Sequence, residues 1–426
     1  MNIRNKILFI SLIFIVWGIS CDWDDHKCNT CGDGEISAAD AVWSHGEGDL
    51  QNTKRASGIR QNGCIIGPQI TPSVQWSFQV GGPGLFSPPV VADDGTIYIV
   101  GEYPGETIGG GVRKAGIMAL TSSGTMKWFF QIPLDIGQGI TYYYNESVSL
   151  DQNGVIYFGG WDSTFYAINP DSTLKWKYRL SGIPEFASPA TPAVDDHNLV
   201  YVASPDTVYC FFPSGLVKWR YAIDREPYYT TQISLGKKGI YIGLYRVGIL
   251  ALDYSGNKRW LFDVDFHDLD FDQGIVVDEQ ENLYFKINQF EINSITPQGQ
   301  FRWSGSTSDV AGQPILRGQF LYLASGRTLL TIDKDKNEIV NSILLSNFIW
   351  YSTSPIVDDN GTIFVAEVSG VIDAIKNDTI IWTITLPYAE TNWLRTYLAL
   401  SRDGSLYIPT AKGYSNNTDF RIYSLK

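Results

Sequence analysis

Residues that do chemistry are scarce in this chain. It holds four histidines in 426 residues, His26, His45, His197 and His267. His26 and His45 precede the repeats described below, and His197 sits in a turn-like Asp195-Asp196-His197-Asn198 stretch. No nucleophile, base and acid fall together. No phosphate-cradling loop occurs, since Gly109-Gly110-Gly111 lacks the Lys and the helix such a loop needs. Charged residues make up only 18%, and the balance of −13 repels phosphate backbones, which argues against a nucleic-acid partner. Five cysteines include no adjacent pair. The N-terminal apolar run, Ile7–Ser20, has 14 residues. At ~1.5 Å per residue it reaches about 21 Å, short of the ~30 Å hydrocarbon core of a bilayer.

That run, behind Arg4 and Lys6, reads as a signal peptide over residues 1–20. Gly18-Ile19-Ser20-Cys21 resembles a lipobox, which makes Cys21 the expected lipid-attachment site, although Gly18 stands where an aliphatic residue is usual. Residues 21–72 read as a tether and lead-in. Export places Cys28, Cys31 and Cys64 in an oxidising compartment, where one bridge among them is expected; the spacing leaves the pairing open. Gly32 after Cys31 excludes haem attachment. Zinc at Cys28 and Cys31 lacks a second ligand pair, and a calcium loop over Asn29–Asp40 has Cys31 where an oxygen belongs.

What the chain has in quantity is apolar and aromatic residues, 44% and 14%, and 41 glycines, the makings of many short strands and tight turns. The stretch Gly116–Phe130 (GIMALTSSGTMKWFF) recurs in variant form to the C-terminus. An aromatic in an apolar run marks each repeat: Tyr98, Tyr157, Tyr201, Tyr241, Tyr284, Tyr322, Phe364 and Tyr407. Their spacing averages about 44 residues, the period of a four-stranded propeller blade. Asp94-Gly95, Asn153-Gly154, Asn360-Gly361 and Asp403-Gly404 supply the first hairpin turn of their repeats. A tryptophan marks the fourth strand: Trp128, Trp176, Trp219, Trp260, Trp303 and Trp382, with Trp76 ahead of the first full repeat. These rings are expected to be structural, wedged between blades. The sixth repeat has Asn337–Ser342 instead, and Cys210 fills a slot that Ala119, Ala167 and Ala251 hold elsewhere, as a small buried residue. The eighth repeat stops after three strands. Val74–Val80 is the spare strand that completes it, so residues 73–426 are predicted to form an all-β, eight-bladed propeller closed by its own N-terminal strand.

These repeats, with the lead-in Trp43–Arg55 (WSHGEGDLQNTKR), resemble the PQQ-like repeat β-propellers, and in size and anchor the BamB-like envelope lipoproteins among them. The resemblance implies a binding scaffold without enzymatic activity or cofactor, held at the bacterial outer membrane by an acyl anchor. Its alternative is a PQQ- or metal-dependent quinoprotein oxidoreductase; the missing Cys-Cys pair argues against that chemistry, and secretion is the alternative to anchoring.

The expected binding face lies on connections between repeats. They carry Phe86, Tyr143, Tyr144, Phe186, Tyr229, Phe271, Trp350, Tyr351 and Trp393. Loops on a rigid scaffold commonly carry function, and clustered aromatics mark a surface for a protein segment or glycan. Plugging of the channel mouth is the alternative role for the same rings. Asp263, Asp265, His267, Asp268 and Asp270 alternate with apolar residues and read as a solvated rim, with calcium ligation the lesser alternative. Closed blades are expected to leave few edges for an added strand.

Overall fold

The computed structural model describes residues 65–81, 87–104, 114–132, 147–160, 162–182, 190–224, 230–264, 274–288, 290–307, 310–349, 354–368, 370–387, 398–411 and 420–426. Their strands form eight antiparallel four-stranded sheets, the blades of a propeller. Blade 1 runs outward through Val90–Val91, Ile97–Glu102, Ala115–Leu120 and Met126–Gln131. Blades 2 to 7 repeat this order, from Ser149–Leu150 to Thr379–Thr385. Blade 8 runs Ala399–Leu400, Leu406–Ala411 and Phe420–Leu425, and its outer strand is Val74–Val80. That strand pairs Val80 with Phe420 and Val74 with Leu425. Ser73 and Lys426 exchange backbone hydrogen bonds of 2.9 and 3.1 Å beyond it. The inner strands of blades 1 and 8 then lie side by side, which closes the ring.

The two aromatic markers turn out to be one feature. In blade 1, Tyr98, Ala119 and Trp128 lie abreast on the second, third and outer strands. The same row is Tyr157, Ala167, Trp176 in blade 2 and Tyr201, Cys210, Trp219 in blade 3. The middle residue is small, so the two flanking rings meet over it, with centroids 5.8–6.0 Å apart in seven blades. Tilted ring pairs at this distance add about 0.5–1.5 kcal/mol to the area they bury. Cys210 is fully buried in this slot, and burial pushes its thiol up to about 12.

Each indole also reaches the next blade. Trp128 Nε1 donates to the Pro170 carbonyl at 2.9 Å, Trp176 to Pro213 at 3.0 Å and Trp219 to Tyr254 at 3.1 Å. Trp260, Trp303 and Trp76 do the same to Pro297, Lys334 and Ser122. Every acceptor sits in the turn before an outer strand. Gly256 in one such turn has φ +84°, and an added Cβ would stand 2.6 Å from the Trp219 ring. That turn therefore needs glycine for its backbone conformation and for the indole that covers it.

The seam between blades 6 and 7 differs. Asn341 replaces the tryptophan, Thr331 replaces the small residue, and the receiving turn shrinks to Asn377-Asp378, both at positive φ. Arg317 bridges this seam, donating to the Asp359 carbonyl at 3.0 Å. The lead-in occupies the following seam, where blade 8 has no turn of its own before its outer strand. Trp382 Nε1 donates to Pro68 at 2.7 Å, and the Ile65 and Gly67 amides donate to Asp359 and Asp358. In blades 2, 3 and 5 the residue matching Asp358 accepts a tyrosine hydroxyl. Phe364 has no hydroxyl, and Gly67 packs so tightly over its ring that a Cβ would stand 2.4 Å from it.

Trp219→Ala is expected to lower stability by about 3 kcal/mol in chemical denaturation, since it removes a packed indole and a cross-blade bond. Asn341→Ala removes a buried amide with no partner on Nδ2 and should change stability by less than about 1 kcal/mol. Equal losses at the two sites would show that the indole row is not what fastens the blades. A chain starting at residue 81 lacks the strand that pairs with Phe420–Leu425; it should aggregate on expression, and a soluble product of unchanged melting temperature would contradict closure by this strand.

Candidate functional site

The outer strands of the blades all finish at one end of the ring. Each outer strand finishes against the middle hairpin of its own blade: Ile132 donates to Ala115, Leu180 to Ser163, Ile223 to Asp206 and Leu386 to Gly370. The chain therefore leaves every blade at the same end, beside that hairpin tip. The opposite end carries the short polar turns. There Asp195 Oδ1 accepts the His197 and Leu199 amides while Oδ2 accepts the Tyr201 hydroxyl. Asp195, Asp196 and His197 offer ligand atoms within 4.8 Å of one another, but both Asp195 oxygens are engaged in holding the turn.

Phe86, Tyr143, Tyr144, Phe186, Tyr229, Phe271, Trp350, Tyr351 and Trp393 lie outside the described residues. So do Cys21, Cys28, Cys31, Cys64, Asp265, His267, Asp268 and Asp270. Asp263 is described; it is the exposed last residue of blade 4's outer strand. Trp76, Trp128, Trp176, Trp219, Trp260, Trp303 and Trp382 stand in the outer strands. At the connection end, Phe348 is 59% exposed with the Arg327 guanidinium 5.9 Å from its ring centre. Arg246 lies 5.2 Å over Tyr245 in the corresponding hairpin of blade 4. Sequence reasoning missed both arginines; the signal available was a cation in a two- or three-residue middle turn.

A cleft of about 240 Å³ opens between blades 3 and 4, walled by Tyr221, Ile223, Leu244, Val247, Leu250 and Leu261, with Asp224 and Lys258 as its charged members. Its volume falls below the ~300–1,000 Å³ of typical ligand and cofactor pockets.

The most unusual polar group at the connection end is Glu367, at the end of blade 7's second strand. It is buried, and its Oε1 accepts the Ser346 amide at 3.2 Å, tying down the connection that leads to Phe348. The Val368 amide donates to the Phe348 carbonyl beside it. Asp373, fully buried on the third strand, accepts the Thr383 hydroxyl at 2.6 Å on Oδ1. Glu367 Oε2 and Asp373 Oδ2 have no other donor, so a hydrogen bond between the two carboxyls needs one of them protonated. Burial first, then Asp373, raises Glu367 from the ordinary 4.5 to about 8. Two buried acids of this kind resemble a catalytic dyad, but both are enclosed, Glu367 holds the Ser346 amide and Asp373 holds the Thr383 hydroxyl, which makes the pair a clamp on the loop.

The folded protein thus keeps a proton that the unfolded chain releases above about pH 4.5, and this contribution to stability declines as pH rises to about 8. Burial also raises Asp358, to about 6, so the part of the decline between about 6 and 8 belongs to Glu367. Glu367→Gln is expected to flatten the melting-temperature profile over pH 6 to 8. A profile of unchanged slope in that variant would assign the proton elsewhere.

The sequence matches no protein-family profile and no curated relative. Solved structures do match. BamB from Moraxella catarrhalis superposes with a TM-score of 0.55 at 16% identity, over 84% of this chain and 98% of that one. A europium-containing methanol dehydrogenase gives a TM-score of 0.65 at 12% identity, over 90% of this chain and 98% of that one. Identities this low speak to architecture alone, and on that ground the protein is an eight-bladed β-propeller with the PQQ-like fold that both structures share.

Proposed function

We propose that this protein is a non-enzymatic binding scaffold of the bacterial cell envelope, anchored through an acyl group on Cys21 after removal of residues 1–20. Residues 21–72 serve as tether and lead-in, and residues 73–426 as the propeller. The observation that carries the proposal is the common end at which every outer strand finishes, because the segments leaving there hold Tyr143, Tyr144, Phe271, Trp350, Tyr351 and Trp393 in sequence. An aromatic surface on a rigid frame suits a protein segment or a glycan, which offers apolar faces and few charges. The −13 charge accords with an uncharged or basic partner.

A quinone-dependent oxidoreductase is the second reading, favoured by the fold likeness to a methanol dehydrogenase. Against it stand the missing Cys-Cys pair and the clamp-like setting of the Glu367–Asp373 acids.

The double variant Trp350→Ala, Trp393→Ala is expected to lose most cross-linked partner in intact envelopes while its melting temperature stays within a few degrees. A collapse in stability would assign these rings to plugging the ring instead. Dye-linked alcohol oxidation by purified protein supplied with PQQ and calcium would establish the enzymatic reading.

A further inference from the structure

Every blade's third and outer strands slip register by one residue just before the row that bears the tryptophan. The outer strand therefore carries one extra, unpaired residue. In blades 1 to 5 that residue is Lys127, Lys175, Lys218, Arg259 and Arg302, and in blade 8 it is Gln75. Lys127, Arg259 and Arg302 turn inward there, donating to Thr96, Tyr241 and Tyr284 of their own blades, so the bulge re-aims a cation across the sheet. Ring closure protects the inner strands only, because among the described residues each outer strand ends its sheet with one edge unpaired. The expectation of few available edges is corrected on this point.

Blade 6 has an apolar residue at this position. Its extra residue is Val340, 50% exposed, flanked by Ile339 at 56% and Leu344 at 71%. Glu338 is the only charged residue in the strand Glu338–Leu344. Blade 7 next to it carries Ile381 at the same position, 38% exposed. These two apolar edges flank the one seam whose tryptophan is replaced, at Asn341.

We infer that the outer strand of blade 6 is a docking edge for an extended segment of a different protein, which adds to the blade as a fifth strand. A row of unpaired backbone amides and carbonyls is satisfied in full only by another strand, and its exposed Ile339, Val340 and Leu344 select apolar residues at alternate positions. Charge decides between occupants. A second copy would bring another −13 to the contact, whereas a segment with a basic residue at the Glu338 end meets an unpaired acid on an acidic protein. This site lies on the rim and is independent of the proposed aromatic face.

The test uses the full chain and a fluorescein-labelled synthetic strand, Lys-Ile-Thr-Val-Thr-Ile-Thr-Val, followed by anisotropy. The wild type is expected to bind it, and the charged variant Val340→Lys, Leu344→Lys to bind at least tenfold more weakly, with an unchanged melting temperature. The same peptide N-methylated at alternate amides should bind neither. Equal binding by both proteins, binding of the methylated peptide, or no binding by the wild type would overturn the inference. So would a wild-type dimer, seen by sedimentation and abolished in the charged variant, because it would make a second copy the occupant.

Discussion

A propeller blade has two faces to bury and a neighbour on each side, so its stability depends on how one sheet grips the next. Here the grip is an indole that packs on a tyrosine of its own blade and donates its single N–H to a turn of the following one. The ring pair needs a small residue beneath it, and Ala119, Ala167, Cys210 and Ala251 meet that need. The receiving turn needs a left-handed residue under the indole, as at Gly215 and Gly256. Three positions far apart in sequence are thereby bound to one another by a single steric fit. Where one changes the others change too, as Asn341, Thr331 and the short Asn377-Asp378 turn show together.

The same logic governs the ends of the chain. Blade 8 borrows its outer strand from the N-terminus and so has no turn before it to receive Trp382. The lead-in supplies the acceptor at Pro68 and pins itself to Asp358 and Asp359. Phe364 is the one member of the aromatic row without a hydroxyl facing that carboxylate position, and its bare ring edge is where Gly67 passes. A loss of one side-chain hydrogen bond thus makes space for a backbone one. The ring is sealed both by strand pairing and by this strap.

Most of the fold was legible because repetition multiplies weak signals. One Tyr or one Trp says little, but the same residues at a constant period leave a single architecture. The site was far less legible. A binding surface is built once, so no repeat reinforces it, and the aromatic connections could be collected only by assuming the topology. Arg246 and Arg327 went unnoticed because a lone cation in a turn carries no sequence signal. The Glu367–Asp373 pair was invisible for a different reason: five residues separate them in sequence, and only the pairing of adjacent strands brings both carboxyls inside.

The sequence by itself determined the eight blades, the closing role of Val74–Val80 and the place of the tryptophans, since period-two strands, turn pairs and a fixed repeat length are local properties. Tertiary structure decided which blade each indole fastens, that Pro68 replaces a turn, that a buried acid clamps the loop before Phe348, and that blade 6 exposes an apolar outer strand. Those facts depend on which strand lies beside which and on one-residue slips of register. Neither is encoded in any single stretch of chain.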